Sequence, residues 1–152
     1  MEDTPAEVVS FNQDVAALGP INTAGKWMIT EEWKARFLTH AGALAPLAEK
    51  GNVAAQYALA TIHMLSLAHT SEREAMEAQA QDSAQASRWL KGPAASGHLG
   101  ALDNLLSVGV GPEAERLRSI CQAYPALFHA GHSTQSEWES EMRKLHELAY
   151  RS

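Results

Sequence analysis

Apolar residues recur at helical spacing along most of the chain and nowhere alternate with a period of two. Thr4-Pro5-Ala6-Glu7 offers a hydroxyl N-cap, a proline for the first helical position and a glutamate to close a capping box. Val8, Phe11, Val15 and Leu18 then share one face. Gly19-Pro20 stops this helix, residues 19–29 form an irregular link, and Thr30-Glu31-Glu32 opens the next helix. Trp33, Phe37, His40 and Leu44 keep its register. Pro46 is expected to kink or divide it, because a proline removes an interior hydrogen bond and clashes with the preceding turn.

Between Asn52 and Thr70 nearly every position is apolar except Asn52, Gln56, His63, Ser66 and Thr70. At 100° per residue these five project within about 40° of one line, so the helix is expected to be packed on most of its circumference. Residues 72–87 are polar and read as a loop passing into the next helix. Trp89, Leu90, Leu99, Leu102, Leu105 and Leu106 mark two further helical segments around Gly92-Pro93 and Gly97. Gly109-Val110-Gly111-Pro112 is a break, after which Glu113 and Glu115 favour the positive end of a helix with Leu117, Ile120, Cys121 and Tyr124 inside. Thr134 with Glu137 forms a second capping box, and Trp138, Met142, Leu145 and Ala149 run down one side of a last helix. Glu139 with Arg143 and Glu147 with Arg151 are spaced for ion pairs on its wet side. The pattern predicts an all-α chain of at least five helices with no sheet.

A repeat lies inside this pattern. Residues 48–59, AEKGNVAAQYAL, align without gaps on residues 94–105, AASGHLGALDNL, so that Gly51 meets Gly97, Ala55 meets Ala101 and Leu59 meets Leu105 at an offset of 46 residues. The glycine takes a left-handed turn between helices, the alanine permits close helix approach and the leucine fills the space between them. The pattern resembles the Sel-one-like repeat family (SLR), a relative of the tetratricopeptide repeat whose units read roughly A-A-x-x-G-x-x-x-A-x-x-x-L. Trp89, eight residues before Gly97, and Ala86 match the family's preceding helix. The resemblance covers about residues 44–106. Pro93 and Leu47 stand where the family carries the first of its paired alanines, and a long polar stretch replaces its glycine-rich bend.

The resemblance implies a short right-handed α-solenoid of tetratricopeptide-like helix pairs within a single domain over residues 1–152. N-terminal capping helices at about 4–43 and C-terminal helices at about 112–151 would flank repeats at about 44–108. The flanks matter because two repeats are too few to stand alone.

Function follows from the same resemblance: a module that binds a partner protein as an adaptor or an inhibitor. The family's first helices line its binding face, which points to Asn52, Gln56, His63 and Ser66, with His98 and Leu102 as counterparts one repeat on. Trp27, in the link, is a further anchor candidate, since tryptophan is enriched at binding hot spots. An immunity protein that neutralises a cognate toxin or effector is the alternative form, and an enzyme without a recognisable motif stands behind both.

Composition narrows these options. Apolar residues at 45% and charged residues at 20% suit one folded domain rather than a disordered chain. Twelve basic against eighteen acidic side chains leave a net charge of −6, the wrong sign for neutralising phosphates, so no nucleic-acid partner is expected. No apolar run is long enough for a membrane span, and the acidic start Met1-Glu2-Asp3 lacks a secretory pattern. The lone Cys121 allows no internal disulfide, and a cytoplasmic location is expected.

Catalytic and ligand motifs fail on spacing. Gly19 and Gly25-Lys26 have five residues between the glycines, and Trp27 follows the lysine where a phosphate-binding loop requires Ser or Thr. His146-Glu147 begins a zinc-protease pattern, but Tyr150 occupies the second histidine's place. His129 and His132 lack a third ligand at a recognisable spacing, and Gly109-Val110-Gly111 lacks the strand of a dinucleotide fingerprint. No catalytic residue, cofactor or metal is expected.

Overall fold

Side-chain caps at Thr30, Asn52, Ser71 and His98 each start a helix. The computed structural model describes residues 4–18, 29–128 and 134–150, and Trp27, His129 and His132 lie outside them. Among the described residues there are eight helices and no strand: α1 (Ala6–Leu18), α2 (Glu31–Glu49), α3 (Val53–Met64), α4 (Glu72–Glu77), α5 (Gln79–Ala95), α6 (Leu99–Val108), α7 (Pro112–Ala123) and α8 (Gln135–Tyr150). Thr30 Oγ1 accepts the Trp33 N–H at 3.2 Å, and Thr134 Oγ1 accepts the Glu137 N–H at 3.1 Å. Each satisfies one of the amide donors that a helix start leaves without a partner.

The two aligned glycines occupy equivalent turns. Gly51 has φ +95° and Gly97 φ +98°, conformations that cost a side-chain-bearing residue free energy. After α2, the Gly51 N–H donates to the Ala48 carbonyl and the Asn52 N–H to the Leu47 carbonyl, both at 3.0 Å. After α5, the Gly97 N–H donates to Ala94 at 3.2 Å and the His98 N–H to Pro93 at 2.9 Å. This is the Schellman closure, used twice at the repeat offset.

Four expectations change. Pro46 does not divide α2, which runs unbroken from Glu31 to Glu49 across the expected boundary between cap and repeat. Pro46 and Gly42, whose carbonyl loses its donor, are both exposed, so that carbonyl is not stranded in the core. Likewise α5 continues through Gly92 and Pro93. The polar stretch after Ser71 is helical rather than loop, because Ser71 Oγ accepts the Glu74 N–H at 3.1 Å and so starts α4. Finally, α3 ends at Met64, and Ser66 adopts φ +55°, so Ser66 and Thr70 leave the helical stripe.

Packing proceeds along the chain. The α3 helix lies between α2 and α5, and α5 between α3 and α6; α1 packs on α2 and α3, while α8 packs on α5, α6 and α7. Two apolar clusters result. Phe11, Phe37, Leu44, Leu59 and Ile62 anchor the first, and Leu90, Leu102, Leu105, Leu117 and Leu145 the second. From α3, Ala55, Ala58, Leu59 and Ile62 enter one cluster and Ala60 the other, which is why that helix is apolar on most sides. Each fully buried leucine contributes about 1.5–3 kcal/mol.

Polar ties join the elements at their edges. Asp14 on α1 accepts hydrogen bonds from Arg36 and, at 2.6 Å, from His40 Nε2 on α2. Arg118 on α7 donates to the Leu106 and Gly109 carbonyls, at 3.0 and 2.6 Å, and closes the C-terminal end of α6. Trp138 Nε1 on α8 donates to Asp103 Oδ2 at 3.0 Å.

Candidate functional site

Two hollows meet along one helix. A groove of about 840 Å³ opens between α3, α4, α5 and α6, and a smaller hollow of about 480 Å³ lies between α1 and the first half of α3. Tyr57 and Thr61 line both and form the ridge between them. The ridge is held in place: Asn104 Nδ2 donates to Tyr57 Oη at 3.2 Å, and the Tyr57 and His98 rings have centroids 4.3 Å apart.

The larger groove carries the apolar surface. Leu65, Met76 and Val108 are 42%, 67% and 54% exposed; Leu65 caps the end of α3, Met76 lies on the short α4 and Val108 ends α6. Large apolar side chains at such exposure, gathered around one hollow, mark an interaction surface better than the same residues scattered singly. Several polar side chains of its walls are already bonded within the protein. Thr61 Oγ1 donates to the Tyr57 carbonyl at 2.9 Å, and His63 Nδ1 donates to Asp82 Oδ1 at 2.7 Å. His69 Nε2 donates to the other Asp82 oxygen at 2.8 Å, which pins the loop after α3 onto α5. Glu74 braces the same loop by accepting from the Thr70 N–H and hydroxyl, and these bonds hold its carboxyl below the usual range.

The residues expected to form one stripe divide among several roles. His63 and Ser66 line the larger groove, and Asn52 and His98 border the smaller hollow. Asn52 and His98 are also N-caps of α3 and α6. Gln56 is turned inward, donating from Nε2 to the Ala48 carbonyl at 3.1 Å, with its amide against Gly92. Leu102 is fully buried in the second cluster and is corrected from a contact residue to a core residue, since the surface it was to offer is consumed by packing. Periodicity did not single out Tyr57, Met64, Met76, Asn104 or Val108; the one available signal was Ser71-Glu72-Arg73-Glu74, a capping-box pattern announcing a helix beside the groove.

Other reactive groups are occupied structurally. Burial, and secondarily Glu141, pushes the Cys121 thiol above its ordinary value, the opposite of what activates a nucleophile. His146 Nε2 donates to the Ala95 carbonyl at 2.9 Å, tying α8 to the end of α5. Among the described residues no group of three or more His, Cys, Asp or Glu is placed to hold a metal, and no helix is long and apolar enough to cross a membrane. Compared with protein-family models, curated proteins and solved structures, the chain matches none.

Proposed function

We propose that the chain is a protein-interaction module of the Sel-one-like repeat type, a short right-handed α-solenoid that holds a partner protein as an adaptor or inhibitor. The duplicated glycine turn at Gly51 and Gly97 supports the repeat reading. The observation that carries the binding reading is the groove between α3, α4, α5 and α6, with Leu65, Met76 and Val108 exposed around it. Apolar side chains that water surrounds in the free protein gain stability when a partner covers them.

The test is retention of proteins from the native cell on the full chain, run beside a Leu65→Asp/Met76→Asp variant and a Leu38→Asp control on α2. A partner retained by the wild type and the control but lost by the double variant is the expected result. Identical retention by all three, or none above an unrelated helical protein, overturns the reading. The inhibitor form, an immunity protein against a toxin or effector, draws on the same groove and on the net charge of −6.

A further inference from the structure

We infer that the groove between α3, α4, α5 and α6 takes an amphipathic helix of the partner that carries basic residues beside its apolar anchors. This rests on the protein-interaction reading and specifies the chemistry of what is bound.

Charge decides the polar half of that helix. Glu72 and Asp82 line the groove, and no lysine or arginine does. The short α4, which forms one wall, carries three glutamates against one arginine, and Arg73 is paired with Glu77 at 3.1 Å. Asp82 is already held by His63 and His69, and Glu74 by Thr70 and Lys34, so the exposed Glu72 is the lining carboxylate that meets an incoming lysine or arginine and repels an incoming glutamate, and the groove selects by sign as well as by shape.

Backbone geometry decides the form of the segment. Among the described residues there is no strand, so the groove has no sheet edge on which an extended peptide could pair. Tyr57 is the one Phe, Tyr or Trp among the described residues that line the groove, so the aromatic slots that hold a polyproline segment are missing too, and the mode that fits lays the apolar face of a helix into the groove through anchors at i, i+3 or i+4, and i+7. Met64 and Met76 face that space, and their unbranched thioether chains adapt to anchors of different shape. Thr61, His63, Asp82 and Asn104 are already hydrogen-bonded within the protein, which leaves apolar contact and charge as the main means of recognition.

The experiment selects binders to the full chain from a display library of helical peptides about 16 residues long, with leucine fixed at helical spacing. The other positions are randomised among Lys, Glu, Gln and Ser. Recovered peptides are expected to be enriched in Lys over Glu. They should bind Met76→Asp at least about tenfold more weakly and lose affinity as salt rises. Glu72→Lys should reduce the preference for Lys. Peptides that need Met76 but show no preference for Lys overturn the charge assignment and leave the protein-interaction reading intact. Peptides indifferent to Met76→Asp, or no recovered peptides, overturn the groove as the helix site, and retention of cellular proteins then decides the broader reading separately. A wild-type dimer that Met76→Asp converts to a monomer assigns the groove to a second copy of this chain and also overturns the inference.

Discussion

Asn52 and His98, at equivalent positions of the two repeats, cap their helices with different atoms: Asn52 Oδ1 accepts the Ala55 N–H at 2.9 Å, and His98 Nδ1 accepts the Ala101 N–H at 3.0 Å. Replacing either by alanine should cost about 0.5–2 kcal/mol. His98→Asn should recover most of its share, because asparagine restores the acceptor while losing the contact with the Tyr57 ring. Urea unfolding midpoints test this, and a His98→Asn protein no more stable than His98→Ala would remove the cap from the account.

The repeat leucines should be costly to truncate. Leu59 is 5% exposed and Leu105 fully buried, in different clusters, so each change to alanine should cost about 2–5 kcal/mol. Melting temperatures that stay unchanged in both variants would contradict the packing described.

Gln56 and Gly92 should be coupled. A Cβ at position 92 would collide with Gln56 Oε1, so Gly92→Ala displaces the amide that donates to the Ala48 carbonyl and should weaken that bond. With Gln56→Ala already in place, Gly92→Ala should stabilise the helix by about 0.5–1 kcal/mol. In the wild type the weakened bond should offset that gain, leaving a coupling of about 0.5–1.5 kcal/mol in a double-mutant cycle.

Acid should weaken the seam between α1 and α2. Hydrogen bonds from Arg36, then His40, hold the Asp14 carboxyl below its ordinary value despite some opposing desolvation. A carboxyl lowered in the folded state stabilises above its unfolded value of about 3.9, and the contribution disappears as pH falls through and below it. Wild-type melting temperature should therefore fall more steeply than that of Asp14→Asn between about pH 5 and pH 2.5. Parallel curves would show that the pair adds nothing measurable.

Binding and stability should separate at the groove. Met76→Asp and Val108→Asp alter exposed positions and should shift stability by less than about 0.5 kcal/mol, while either can cost 2 or more in partner affinity. Leu102→Asp should instead unfold the chain, because it places a carboxylate among Leu90, Leu105 and Leu117. Circular dichroism melts run beside binding titrations distinguish the two classes.

The sequence by itself determined what depends on neighbours a few residues apart. Thr30, Thr134 and the turns at Gly51 and Gly97 were legible because each closes hydrogen bonds over three to five residues. Ser71 was equally legible in principle, and the polar composition around it concealed the helix it starts. Only the tertiary structure decided which side chains face a groove. Tyr57 meets Asn104 across 47 residues and His63 meets Asp82 across 19, contacts set by how helices cross rather than by where a residue stands on its own helix. For that reason a polar Gln56 is spent on a neighbouring helix end, Leu102 vanishes into the core, and Met76, on a helix of six residues too short to show a periodic pattern, stands at the groove.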